Sequence, residues 1–361
     1  MGGTVSDLFD LLRRATCPED IFGAFAAHPP ATLTRRYREL AALVHPDHNA
    51  DRSSAATEAF LALQRWYRAA RQQLQQGRCA EAPRITAVSR LHTYTGYAPP
   101  LPGDLSDLFP VELGSHRVLL KVARLARDND LLAVEARTLR RLARTLAGQG
   151  VRAHVPTLVE DFLLADLTGK RRHVNVINEE VNYISLLQVI QAYPAGLAPG
   201  DAAWMFNRML TVLGVTHRLG VVHGALVPAH VLIRPGDHNG MLVDWCYSVP
   251  IGGSLQAISP PFAADYPPEV HARRPATTAT DIYMAARCMA RLLGSTHGTR
   301  DLPPAIPRPL RALLDACLIP APARRPDDAW HVLDHFAEIL ARLYGPPTFR
   351  PFHLPAPADA H

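Results

Sequence analysis

The chain has 361 residues, a hydrophobic fraction of 48% and a net charge of +5, which suits a small domain followed by one of roughly 250 residues. No apolar run approaches the ~18 residues of a membrane span, and Met1 to Thr16 lacks the basic start, apolar core and cleavage site of a secretory signal. A cytoplasmic protein with no membrane partner is expected. Its arginines are scattered among acids instead of forming one basic block, so no nucleic-acid partner is expected either.

Five cysteines, odd in number and never in a CxxC pair, argue against a disulfide framework or a structural zinc. Of the 38 basic residues only two are lysine, Lys121 and Lys170, leaving 36 arginines. A lysine in this chain is therefore informative by its rarity.

From Thr32 to Val44, residues Leu33, Tyr37, Leu40, Ala41 and Val44 fall on one helical face, with Arg35, Arg38 and Glu39 opposite. His45-Pro46-Asp47 must end that helix, because proline disfavours the helical conformation in the residue before it. Ser54 to Leu74 is helical again, with Phe60, Leu63, Tyr67, Ala70 and Leu74 on one stripe. Two amphipathic helices flanking an HPD loop resemble the J domain of DnaJ-type co-chaperones.

That resemblance implies a DnaK-class heat-shock chaperone as partner, met by His45, Pro46, Asp47, Arg35 and Arg38. It also implies a first J helix over Asp20 to Ala26, with Ser6 to Arg14 as an extra amphipathic segment. The Gly/Phe linker, zinc module and client-binding domain of DnaJ have no counterpart in the chain, so whatever follows must aim the J domain. The J domain is assigned to 1–77, a linker to 78–91, and a second domain to 92–345.

His116 to Ala123 reads as an apolar strand interrupted by Lys121, and a helix follows through Leu131, Glu135, Leu139 and Leu142. A buried lysine is costly unless paired, which makes Glu135 its expected partner. Val159 to Leu164 and His173 to Ile177 form a hairpin, and Ala202 to Leu219 is a long helix. Val221 to Asp244 then reads as three short strands separated by a loop closed at Pro228 and a Gly-rich turn.

That last stretch resembles the catalytic loop and metal-binding strand of protein kinases, with His223 and Asp244 at its first and last key positions. The base, phosphate-facing Lys and magnesium-binding Asn positions hold Ala225, Val227 and His230. Upstream, Leu101, Gly103 and Ser106 fall at the three glycine positions of the phosphate-covering loop, and Lys121 with Glu135 at the conserved ion pair. Downstream, Glu269 and Arg325 fall where the family has a paired glutamate and arginine.

The expected fold is therefore multidomain, a small all-α J domain followed by a two-lobed α+β kinase-like domain. Pro346 to His361 is a Pro-rich tail expected to be disordered. Phosphoryl transfer needs a carboxylate to orient the nucleophile, metals to bridge phosphates and a Lys to hold them. Ala225 cannot accept a proton, so no catalytic residue is assigned. The resemblance leaves Gly103, Lys121, Glu135 and Asp244 for weak ATP binding and Asp244 for one magnesium, while a neutral His230 would suit a softer metal.

The function expected is a J-domain co-chaperone whose pseudokinase domain selects an unknown client or senses nucleotide. An atypical phosphotransferase or nucleotidyltransferase regulated by its J domain is the alternative. A ligand-free interaction scaffold is the second alternative.

Overall fold

The computed structural model describes residues 8–9, 11–12, 15, 17–23, 30–45, 49, 53–75, 84–97, 100–114, 116–165, 169–297 and 299–355. The protein is mixed α+β, and its chain divides into two units, Met1–Leu101 with Phe109–Ser115 and Pro102–Leu108 with His116–His361.

In the first unit, α1 (Pro30–Val44) and α2 (Ser53–Gln75) form a hairpin. Leu33 packs near Ala70, Tyr37 stacks on Tyr67 at 4.1 Å, and the His45 ring meets Phe60 at 5.2 Å. Residue numbers fall on α2 as they rise on α1, so the helices run antiparallel. Leu40, Val44, Ala56, Ala59 and Leu63 form the seam, joined by Phe9, Leu12 and Ile21. Each of the buried large side chains contributes about 1.5 to 3 kcal/mol relative to exposure.

The expected first J helix is described only as Glu19–Phe22, ended by Gly23 at φ 66, and 24–26 lie outside the described residues. Of the expected N-terminal segment, 8–9 and 11–12 are described, and all four are helical. Pro46 and Asp47 also lie outside the described residues.

The stretch assigned as linker contains a strand. β1 (Arg84–Val88) pairs antiparallel with β2 (Thr93–Tyr97), and their turn is held by Ser89, whose Oγ accepts from the N–H groups of Leu91 and His92. β3 (Leu101–Pro102) and β4 (Ser106–Leu113) each contain a boundary between the units. β2 pairs with the far end of β4 through Gly96 and Val111. The first unit is thus larger than a helical hairpin.

The second unit places β5 (His116–Ala123) beside β7 (Arg171–Asn178), and β7 beside β6 (Leu158–Ala165), all antiparallel. In this register Lys121 and Asp161 both lie opposite Asn175. α3 (Asn129–Thr145) presents Leu132, Leu139 and Leu142 to the interior, and Glu135 shares that buried face. β8 (Ile184–Ser185) leads into α4 (Leu186–Ala192), whose start is fixed by a capping box between Ser185 and Gln188.

The longest helix of this unit, α5 (Pro199–Arg218), runs through its core, with Phe206 edge-on to Phe336 of the later helix α8 (Ala329–Tyr344) at 5.0 Å. β9 (Val221–Val222) pairs with β12 (Val249–Pro250), and β10 (Val231–Arg234) lies between β11 (Asn239–Leu242) and β8. α6 (Thr278–Leu292) and α7 (Arg308–Cys317) complete the core.

The described part of the expected disordered tail has no helix or strand, and its residues 346–351 are exposed. Phe352 is buried, Tyr193 donates its hydroxyl to the His353 carbonyl at 2.8 Å, and 356–361 lie outside the described residues. No described helix is long and apolar enough to cross a membrane.

Candidate functional site

The turn carrying His223 is fixed before any ligand is considered. Gly224 has φ 77, and a Cβ there would meet the Tyr247 carbonyl at 2.8 Å, so only glycine fits. The N–H groups of His223 and Gly224 donate to the buried carboxylate of Asp281 on α6 at 2.7 and 2.9 Å, and His217 Nε2 lies 2.9 Å from the same carboxylate.

His223 is wholly buried, and burial pushes its pKa down to about 4. It is neutral, with Nε2–H donating to the Val243 carbonyl at 3.0 Å and Nδ1 accepting from the Ala225 N–H at 3.3 Å. Ala225 and Val227 are also fully buried and leave the loop with apolar side chains where a base and a cation were sought.

Asp244 stands at φ 63 and ψ 47, a left-handed conformation that costs a non-glycine residue about 1 kcal/mol or more. The following residue holds it there, since the buried Trp245 indole donates to the Leu242 carbonyl at 2.8 Å. In this pose the Asp244 carboxylate meets two cations, Lys121 through Oδ1 and His230 through Oδ2.

Lys121 is 3% exposed and donates to Glu135 Oε1 at 2.9 Å as well as to Asp244. Burial alone would lower its pKa, but the charges of Asp244 and Glu135 win and hold it well above the ordinary value. Glu135 is completed by Asn175, whose amide donates to Oε2 at 2.9 Å. The pair expected from the sequence is present, and each partner has a further contact that the sequence did not reveal.

His230 lies among three acceptors. Its Nδ1 donates to the Ala225 carbonyl at 2.9 Å, while Nε2 lies 3.1 Å from Asp244 and 3.2 Å from Asp104. A ring whose nitrogens both face acceptors carries both protons and is cationic. Burial opposes that charge, but Asp244 and Asp104 outweigh it and raise the pKa above 6.5. Burial likewise opposes the charge of Asp104, and the hydrogen bond and charge of His230 outweigh it and lower the pKa.

A softer metal at His230 would have to displace the proton that Nε2 shares with Asp244 and Asp104. Asp104 and Tyr247, whose hydroxyl donates to Asp104 at 3.2 Å, were missed because they join His230 only through long-range folding.

The stability owed to protonated His230 is fully present below pH 6.5 and disappears as pH climbs through the raised folded value. The stability owed to Asp104 has the opposite dependence, present above 3.8 and lost as pH falls through the lowered folded value. Urea titrations from about pH 6 to about pH 9 should show wild type losing its stability advantage over His230→Gln. A constant difference between the two would mean that His230 is neutral throughout.

Gly103, the one glycine of the three loop positions, does not direct its N–H toward a phosphate. Its N–H donates to the Ser106 carbonyl at 2.9 Å, and the carbonyls of Gly103, Asp104 and Ser106 all accept from Arg124. The loop is closed on itself, with its carbonyls gathered around one guanidinium.

ATP and magnesium do not fit the site in this arrangement. The Lys121 ammonium lies against two carboxylates, and the Gly103 N–H is directed at Ser106. Glu135, Asp244 and Cys246 place ligand atoms within 4.8 Å of one another. Lys121 already neutralises the two carboxylates, however, and burial raises the Cys246 pKa well above its ordinary value, so a metal there would have to displace the Lys121 contacts and the thiol proton.

Of the residues expected to meet a chaperone, Arg35 and Arg38 are exposed on α1, with Arg35 3.9 Å from Glu39, and His45 caps the hairpin seam. A scan against protein-family models finds none that matches the chain, and a search of curated proteins finds no similar sequence.

Proposed function

We propose that the protein is a J-domain co-chaperone for a DnaK-class heat-shock ATPase, and that its kinase-like second unit is a non-catalytic module that selects a client. The observation that carries this reading is the closed chain of charges Glu135, Lys121, Asp244, His230 and Asp104. The groups that would grip phosphates are neutralised by one another, and the position for a base is the buried Ala225. This pairing favours a ligand-free module over a nucleotide sensor, because a nucleotide would have to displace Asp104 and free Lys121.

The test is to incubate the full chain and a DnaK-class chaperone with γ- or α-labelled ATP. The chaperone's single-turnover hydrolysis should accelerate while neither protein acquires label. A nucleotide bound at a hundredfold excess over its Kd would stabilise the fold by about 2.7 kcal/mol, and wild type should show no such melting shift with ATP and magnesium. Label that disappears with Asp244→Ala would establish the phosphotransferase or nucleotidyltransferase alternative and overturn the proposal.

A further inference from the structure

Within the second unit, α3 and the segment from Cys246 to Pro250 border a groove of about 310 Å³, at the lower end of the range for small-molecule sites. Val134, Arg137, Thr138 and Arg141 line it from α3, at the three- and four-residue spacings that share one helical face. Val249 and Pro250 line it from β12. All six are at least partly exposed, so the groove is open to solvent.

The two walls are fixed to each other. The Ser248 hydroxyl donates to the Trp245 carbonyl at 2.7 Å, so the hydrogen bond between the Ser248 and Thr138 hydroxyls, 3.0 Å apart, takes its proton from Thr138. Arg141 donates to the Leu219 carbonyl and ties the same helix to the residue that follows α5. The groove is therefore formed before any ligand enters.

Its charge is one-sided. Among the described residues that line it there is no Asp or Glu, while Arg137 and Arg141 stand about one helical turn apart. Of the four arginines of α3, Arg140 pairs with Asp161, Arg144 donates to the Arg140 carbonyl, and Arg141 to that of Leu219. Arg137 is exposed and has neither an ion pair nor a hydrogen bond among the described residues. Like charges four residues apart on a helix repel, and an anion placed between them relieves that repulsion. A guanidinium also presents a planar fork of donors that matches two oxygens of one anionic group.

We propose that this groove is a binding site for a small amphipathic anion, an apolar ring system bearing one carboxylate or sulfonate. Its rings would lie on Val134, Val249 and Pro250, and its oxygens would meet Arg137 and Arg141. The site does not depend on the function proposed for either unit.

The test titrates the full chain with anilinonaphthalene sulfonate and with phenylnaphthylamine, a neutral dye with the same rings, and follows dye fluorescence. The sulfonate should bind saturably with a Kd on the order of 100 μM, and the neutral dye about tenfold more weakly. Arg137→Ala should weaken the sulfonate about tenfold and leave the neutral dye unchanged. Arg144→Ala removes an exposed arginine of α3 that does not line the groove, and should change neither dye. Val134→Trp, which fills the groove, should block both. Arg137 lies on the exposed face of α3, so its variants keep the fold and their result stands whatever Val134→Trp does to stability. Failure of the sulfonate to saturate, equal binding of the two dyes, an unchanged affinity in Arg137→Ala, or an equal loss in Arg144→Ala would each overturn the proposal.

Discussion

Arg325→Ala is expected to destabilise the second unit by about 3 to 5 kcal/mol, because removing one partner strands the other as an uncompensated buried charge. The Arg325 guanidinium donates to both oxygens of Glu269, at 2.6 and 2.8 Å, in the forked geometry that makes such pairs strong. It also donates to the carbonyls of Ile319, Pro320 and Ala279, and its plane lies 4.7 Å above the Tyr283 ring. One side chain thus ties the turn before it to Glu269 and to the start of α6. Thermal melting of the full chain, followed through the buried Trp245, should shift down by roughly 6 to 20 °C.

Glu269→Ala should cost a similar amount, and the double variant much less than the sum, since the second change removes the stranded charge. Arg325→Lys should recover only part of the loss, because an ammonium cannot reproduce the fork or the stacking. An unchanged melt in Arg325→Ala would mean that the pair is not formed.

What the sequence revealed was whatever leaves a local pattern or a conspicuous residue. The 3.6-residue spacing of Leu33, Leu40 and Val44 and of Leu63 and Ala70 marked the helical hairpin, because a helix must bury one stripe. Lys121 stood out among arginines, and an internal strand lysine demands a carboxylate, which led to Glu135.

What it concealed was contact made by distant parts of the chain. Nothing local in Asp104 indicates that it will face His230, and neither residue alone shows that both ring nitrogens of His230 will donate. Gly103 looked like a phosphate-loop glycine by spacing, yet Arg124 and Ser106 decide where its backbone points. The strand Arg84–Val88 passed for a linker because its order comes from pairing with β2, and the burial of Phe352 within the Pro-rich tail leaves no local pattern.

His45→Gln is expected to abolish the acceleration of a DnaK-class ATPase while leaving the first unit folded. His45 directly follows α1, with its ring edge-on to Phe60, so imidazole shape and chemistry are presented at the turn and not within the apolar seam. The seam residues Leu40, Val44 and Leu63 are untouched by the change, which predicts a shift in stability of less than about 1 kcal/mol. On the exposed face of α1, Arg38→Glu should weaken the same stimulation by slowing encounter with an acidic surface. That defect should shrink as ionic strength rises, because salt screens exposed charges beyond a Debye length of ~10 Å at 0.1 M. Single-turnover hydrolysis with the full chain, measured beside far-ultraviolet circular dichroism of each variant, separates lost function from lost structure. Equal stimulation by wild type and His45→Gln would refute the proposed J-domain role, and so would the absence of stimulation by either.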